Sequence, residues 1–216
     1  MKNFIIAPDG LVYIIVLAII TTVAAYFNIY LSIFPFILLA FVVFFFRNPP
    51  RKITKNDKHI LSPADGKVIN ISEIYEDEFL KCEAIKISIF LSIFNVHLNR
   101  SPICGEIKYT KYRPGKFLPA FKSHASEINE RNSVGIQNGS FKIIVNQITG
   151  FIARRIVCKV KIGDKIDQGQ IYGLIKFGSC TEIIMPKDKV NINVKAGDKV
   201  KGGITIIGVI KDGFKS

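Results

Sequence analysis

From Leu11 to Phe46 the chain carries no Lys, Arg, Asp or Glu. Uncharged apolar runs of this length are rare in soluble domains, so this feature limits the available folds first. "LVYIIVLAIITTVAAYF" and "LSIFPFILLAFVVFFF" lie on either side of Asn28. Each is near the lower limit, about 17 residues, for a membrane-crossing helix. The run is too long for a signal peptide, and no small-residue cleavage site follows it. The expectation is a hydrophobic helical hairpin over residues 1–46 that spans a bilayer or dips into one leaflet. The competing reading is a buried helical pair inside a globular protein.

Charge favours the membrane and orients it. Of the 30 Lys and Arg, only Lys2 precedes Arg47, and "RNPPRKITKNDK" follows the apolar run at once. Positive charge beside a membrane segment marks the cytoplasmic side. A hairpin returns both its ends to that side, which predicts a cytoplasmic domain over 47–216 on the inner face of the cell membrane. The net charge of +13 falls in that domain. Anionic headgroups attract such a surface, each nearby Lys or Arg adding about 1 kcal/mol. A composition rich in Ile, Lys and Asn is a blander source of the same charge. The basic residues are scattered through strand-like segments and no nucleic-acid motif occurs, so no nucleic-acid partner is expected. Cys82, Cys104, Cys158 and Cys180 show neither metal-ligand spacing nor a disulfide framework, and predict reduced thiols and no metal.

After Arg47 the pattern turns to β. "KVINISEI" and "AIKISIF" alternate apolar and polar positions. "VGIQNGSFKIIV" reads as a hairpin whose Asn138-Gly139 supplies two positive-φ residues. "LPAFKSHASEINERNS" is the one plausible helix of this part. Val-Lys-x-Gly-Asp-Lys-(Ile/Val) occurs at Val160 and again 34 positions later at Val194. Two such hairpins predict a pseudo-symmetric barrel or sandwich. The pattern resembles the barrel-sandwich hybrid of lipoyl and biotinyl carrier domains, though no modifiable lysine stands at a suitable tip. The fold class expected is mainly β (α+β), with few short helices behind the N-terminal helical hairpin.

Between the repeats lies "KFGSCTEIIMP", where Gly178 and Ser179 meet at a strand junction. A serine after glycine can attack its own preceding carbonyl, since glycine puts no side chain in the way. The hydroxyl needs an adjacent base. Gly-Ser is also a common turn dipeptide. Among the histidines, His59 lies in the basic linker and His124 in the expected helix. His97 ends the apolar strand "ISIFLSIFNV", where a structural role and proton transfer are both open. Asp65 in "SPADGKV" is either a turn residue before Gly66 or the orienter of a histidine.

"RNPPR", "SPADGKV", "FNVHLNRSP", "GKFLPAF…ASEINERN", "QITGFIARRIVCKVKIGD" and "GLIKFGS" occur in that order. Together they closely resemble the short-type phosphatidylserine decarboxylase proenzymes, from about Phe44 to about Pro186. The resemblance implies that Ser179 attacks the Gly178 carbonyl and that the chain splits into residues 1–178 and 179–216, which stay together as a heterodimer. It implies a covalent pyruvoyl group formed from Ser179, with no metal and no pyridoxal phosphate. Through a Schiff base with the substrate amine, that ketone would serve as the electron sink for decarboxylation of phosphatidylserine in an anionic membrane. His97 matches the family's processing base and Asp65 its orienter. Arg154 and Arg155 are candidate lipid-phosphate partners, because guanidinium binds phosphate bidentately. Two positions depart from the family. Phe94 stands where longer relatives carry a second histidine, and Cys180 follows the cleavage serine in place of Arg, Ser or Thr. A decarboxylase of another seryl lipid, such as an archaetidylserine-like one, stays open, as do a non-catalytic membrane-anchored adaptor of the same fold and a homo-oligomer.

Overall fold

The computed structural model describes residues 4–116, 118, 128–150, 155–176 and 179–211. They divide into two compact units that meet in sequence at Pro50 and Arg51.

The N-terminal unit is a helical hairpin. Helix α1 (Leu11–Phe27) and helix α2 (Ile29–Phe45) are joined through Asn28, whose side chain accepts from the Tyr30 amide at 2.8 Å. Asn28 thereby ends one helix and caps the next. The two ends of the hairpin close on each other: Ile6 bridges Arg47, and the Ala7 amide donates to the Phe46 carbonyl at 2.8 Å. Large apolar side chains such as Val12, Ile19, Phe27, Phe34, Phe36 and Ile37 are exposed on both helices. The stretch Pro8–Phe27 is long and apolar enough to cross a membrane, whereas Ile29–Phe45 is shorter.

The second unit is mainly β. Eight antiparallel strands form its main sheet: β2 (Gly66–Glu76), β3 (Cys82–Leu91), β5 (Gly105–Arg113), β6 (Arg131–Asn138), β7 (Phe141–Ile148), β9 (Lys165–Ile166), β11 (Ser179–Pro186) and β13 (Lys199–Val200). Their order is β13-β2-β3-β11-β7-β6-β5-β9. A second sheet has the order β4-β10-β8, from β4 (Leu98–Arg100), β10 (Ile171–Lys176) and β8 (Arg155–Cys158). A third joins β1 (His59–Leu61), β14 (Ile206–Ile210) and β12 (Val190–Ile192). Alternating residues of the main sheet, among them Ile87, Ile89, Val134, Val145 and Ile183, fill the core.

The expected pseudo-symmetry is explicit. Both Gly-Asp tips bend through positive φ, at Gly163 (+93°) and Gly197 (+98°). In each, the Asp side chain accepts the amide three residues back at 2.9 Å, Lys161 to Asp164 and Lys195 to Asp198. Each tip then grips a long strand, Gly163 donating to the Ile107 carbonyl and Gly197 to that of Val68. The gripped strands begin alike, in Ser62-Pro63-x-x-Gly66 and Ser101-Pro102-x-x-Gly105. Each serine hydroxyl bonds the carbonyl two residues on, at 2.8 and 2.6 Å. This second pair of repeats places Asp65 and Cys104 at equivalent positions.

Two expectations need correction. The hairpin turn lies one residue later than Asn138-Gly139, because Asn138 pairs with Phe141. The loop is Gly139-Ser140 with φ +55° at Gly139, the pattern of a type II′ turn. The expected helix over 118–133 cannot run its full length. Arg131 to Ser133 belong to β6, where pairing on both sides with β5 and β7 overrides local preference. Residues 119–127, with His124, lie outside the described residues.

Local packing makes two outcomes measurable. Gly173 of β10 faces the β8 backbone, and a Cβ there would meet the Val157 carbonyl and lie 2.8 Å from Gln147 Nε2. Gly173→Ala is expected to lower unfolding free energy in urea by about 1–3 kcal/mol. At the β2–β3 connection, Glu78 accepts from Tyr109, from Lys111 at 2.9 Å and from Arg113. The Tyr109 and Lys111 hydrogen bonds, with the Arg113 charge, pull its carboxyl down to about 2. A depressed carboxyl stabilises the fold above its unfolded value and ceases to do so as pH falls through the folded one. Glu78→Gln should therefore melt below the parent at pH 7, with the gap closing as pH drops from 4.5 towards 2. A gap that stays constant over that range would contradict the assignment.

Candidate active site

Ser179 opens β11, all eight residues of which are buried between β3 and β7. It pairs with Leu91 across the ladder to β3. Side chains alternate along a strand. Ile183 and Met185 are in the main core, so Ser179 and Thr181 share the core face, while Cys180 packs with Ile148 and Phe90 on the other. Ser179 is fully buried, and its Oγ has no hydrogen-bond partner among the described residues. An orphaned buried hydroxyl costs about 1–3 kcal/mol, which makes this serine the anomaly of an otherwise regular strand. Gly178, its expected cleavage partner, lies outside the described residues. Cys180 points away from the Ser179 face, and burial pushes its thiol well above the usual range. It is therefore a poor competing nucleophile.

His97 is buried just ahead of β4. Its carbonyl accepts from the Ile175 amide at 3.2 Å, which extends the β4–β10 ladder to within four residues of Ser179. Its ring is set by the preceding loop. There Asn95 accepts from both the amide and the hydroxyl of Ser92 at 2.9 Å, and the Asn95 carbonyl lies 3.0 Å from His97 Nδ1. A carbonyl only accepts, so Nδ1 carries the hydrogen and the neutral ring keeps its lone pair on Nε2.

Asp65 sits elsewhere in the bonding scheme. Arg51 grips its carboxylate with both terminal nitrogens, at 2.6 and 2.7 Å, and the Gly202 amide adds a third bond at 2.8 Å. Buried Arg100 lies nearby; burial and the Arg51 charge lower its guanidinium to about 10, against the opposing pull of Asp65. His97 is thus bonded to β10 at Ile175, four residues ahead of Ser179, while Asp65 is engaged by Arg51. Arg155 is exposed on β8 and pairs with Lys176, two residues ahead of Gly178. Arg154 lies outside the described residues.

Sequence reasoning missed a chain of buried amides beside this site. Asn132 Nδ2 donates to Gln147 Oε1 at 3.0 Å, Gln147 Nε2 to Asn99 Oδ1 at 2.9 Å, and Asn99 Nδ2 to Thr181 Oγ1 at 3.0 Å. The signal was present as polar residues at core-facing positions of apolar strands. Asn129 in "NERN" also acquires a role. Its side chain bonds both the amide and the carbonyl of Leu118 and the Thr149 carbonyl, all within 2.7–2.8 Å.

The profile of the phosphatidylserine decarboxylase family matches residues 38–208. A phosphatidylserine decarboxylase proenzyme of Carboxydothermus hydrogenoformans is 56% identical over 203 residues, covering 94% of this chain and 95% of that protein. One from Symbiobacterium thermophilum is 42% identical over 209 residues, 96% of this chain and 97% of the relative. One from Amoebophilus asiaticus is 49% identical over 170 residues, 78% and 75% of the two chains. With a family profile that matches most of the chain and these likenesses over nearly its whole length, the chain belongs to the phosphatidylserine decarboxylase family.

Proposed function

We propose that the chain is a proenzyme that cleaves itself between Gly178 and Ser179 and then decarboxylates phosphatidylserine to phosphatidylethanolamine. The observation that carries this reading is the fully buried Ser179 hydroxyl, which has no hydrogen-bond partner among the described residues. Ser179 Oγ attacks the Gly178 carbonyl while His97 Nε2 takes its proton, and the peptide bond becomes an ester. Loss of the Ser179 α-proton expels the Gly178 carboxylate. Addition of one water then releases ammonia and leaves a ketone at the head of residues 179–216. The residues fit such a group: the Ser179 α-carbon, which becomes the ketone, lies at the start of a strand paired with β3, and the hydroxyl that departs with the Gly178 carboxylate has no competing hydrogen bond among the described residues. When formed, the pyruvoyl group supplies an electron sink for the pair left by departing carbon dioxide.

The two fragments remain joined by the fold. Residues 179–216 supply β11, between β3 and β7, and β14, paired with β1, so separation requires unfolding. In this reading Asn95 holds His97 in the precursor, and Asp65 orients the ring only when its pair with Arg51 opens. Arg154 and Arg155 receive the lipid phosphate; the place of Arg155 opposite Lys176 supports this. The exposed apolar faces of α1 and α2 and the basic residues that follow support insertion of the 1–46 hairpin from the cytoplasmic face.

Intact mass is the direct test. The parent should give two chains, the smaller with a terminal carbonyl and no free amine, whereas Ser179→Ala should remain one inactive chain of 24.2 kDa. His97→Ala should cleave at least about a hundredfold more slowly, the usual scale of a general base. Splitting at the parent rate would remove His97 from that role. Asp65→Asn separates two roles: an orienter slows cleavage and shifts its pH profile, while a clamp for Arg51 only lowers Tm.

A further inference from the structure

The two groups that self-cleavage requires stand on different sheets. His97 leads into β4 of the three-stranded sheet, and Ser179 begins β11 of the eight-stranded one. Backbone ladders hold each strand within its own sheet, and side-chain hydrogen bonds of Asn99 and Gln147 cross between the sheets. Two residues beyond His97 is Asn99, and two residues beyond Ser179 is Thr181. Their side chains meet at 3.0 Å, and both residues are fully buried. Residues two apart on a strand share a face and lie about 7 Å apart. The Asn99–Thr181 bond therefore stands one strand repeat from both reacting groups.

The polarity of this bond is fixed from behind. Gln147 Nε2 lies 3.2 Å from the Val157 carbonyl, which can only accept, so that atom is the donor nitrogen. The Asn99 atom facing it at 2.9 Å must then be oxygen, which turns Nδ2 towards Thr181. Asn132 Nδ2 closes the chain on Gln147 Oε1 at 3.0 Å. Asn132, Gln147 and Thr181 are direct neighbours across β6, β7 and β11, so the register of the large sheet sets the position of the small one. Gly173, paired with Asn99, leaves the room that Gln147 needs. A slip of either sheet would orphan a buried amide at about 1–3 kcal/mol.

We infer that Asn99, Gln147 and Asn132, acting through Thr181, are positioning residues for self-cleavage, and that the Asn99–Thr181 hydrogen bond sets the His97–Ser179 separation. The inference rests on the cleavage reading above and concerns how its geometry is held.

The test follows conversion of the full-length 24.2 kDa chain into two fragments by intact mass after cell-free synthesis, well below each variant's Tm. Thr181→Val keeps the shape and removes the hydroxyl; Thr181→Ser restores it. Thr181→Val should slow cleavage about tenfold to a hundredfold, the scale expected for a small misplacement of reacting groups. Thr181→Ser should stay within about threefold of the parent. Asn99→Ala should slow cleavage similarly, and the Asn99→Ala/Thr181→Val double variant should be no slower than the slower single. Should Thr181→Val not fold, Thr181→Ala against Thr181→Ser reads the same bond. A lower Tm with the parent cleavage rate, a Ser variant as slow as the Val variant, or fully multiplicative slowing in the double variant overturns the inference. A parent that never splits overturns the cleavage reading instead, so the two failures are distinct.

Discussion

Both edges of β11 are occupied, one by β3 and the other by β7, and the site depends on that placement. A strand in the middle of a sheet has little positional freedom. Its first residue pairs with Leu91 of β3, and the Ser179 hydroxyl is held in the core without a hydrogen-bond partner among the described residues. Alanine there would avoid the cost of burying it. The cost becomes intelligible if the hydroxyl is a reactant rather than a structural group. The same pairing explains how a chain could be cut beside its central strand without coming apart.

The hairpin and the β character were legible because they rest on repeated, local signals. An uncharged run from Leu11 to Phe46 leaves few alternatives, and alternation in "AIKISIF" leaves few more. The Gly-Asp repeat was visible because seven consecutive positions share a pattern. Its partner, Ser-Pro-x-x-Gly at Ser62 and Ser101, shares only three turn-forming residues. What could not be read were relations across sheets. Asn99, Gln147 and Asn132 stand out as polar residues at core-facing positions, but which of them meet depends on how the sheets stack. Arg131 to Ser133 look helical until β5 and β7 close on either side.

Asp65 shows where a family likeness and local geometry ask different things of one residue. The likeness places it beside a histidine; the structure shows it gripped by Arg51, the first residue of the second unit. Arg51 is itself the end of "RNPPR", so the chain leaving the hairpin is fastened by an ion pair whose two side chains are 5% and 14% exposed. The pseudo-equivalent of Asp65, Cys104, instead bonds Asp57 and Asn138. The two half-repeats share a backbone device but have diverged in the chemistry they place on it.

The carrier domains that this repeat resembles bear their prosthetic group on a lysine arm, which swings between distant partners. A ketone made from Ser179 would have no arm: its nearest anchor is the backbone of a strand paired along its whole length with β3. Such a catalyst stays put, and traffic must be handled by the other party. Lateral diffusion of lipids, rather than any reach of the protein, would then bring each headgroup in and carry each product away.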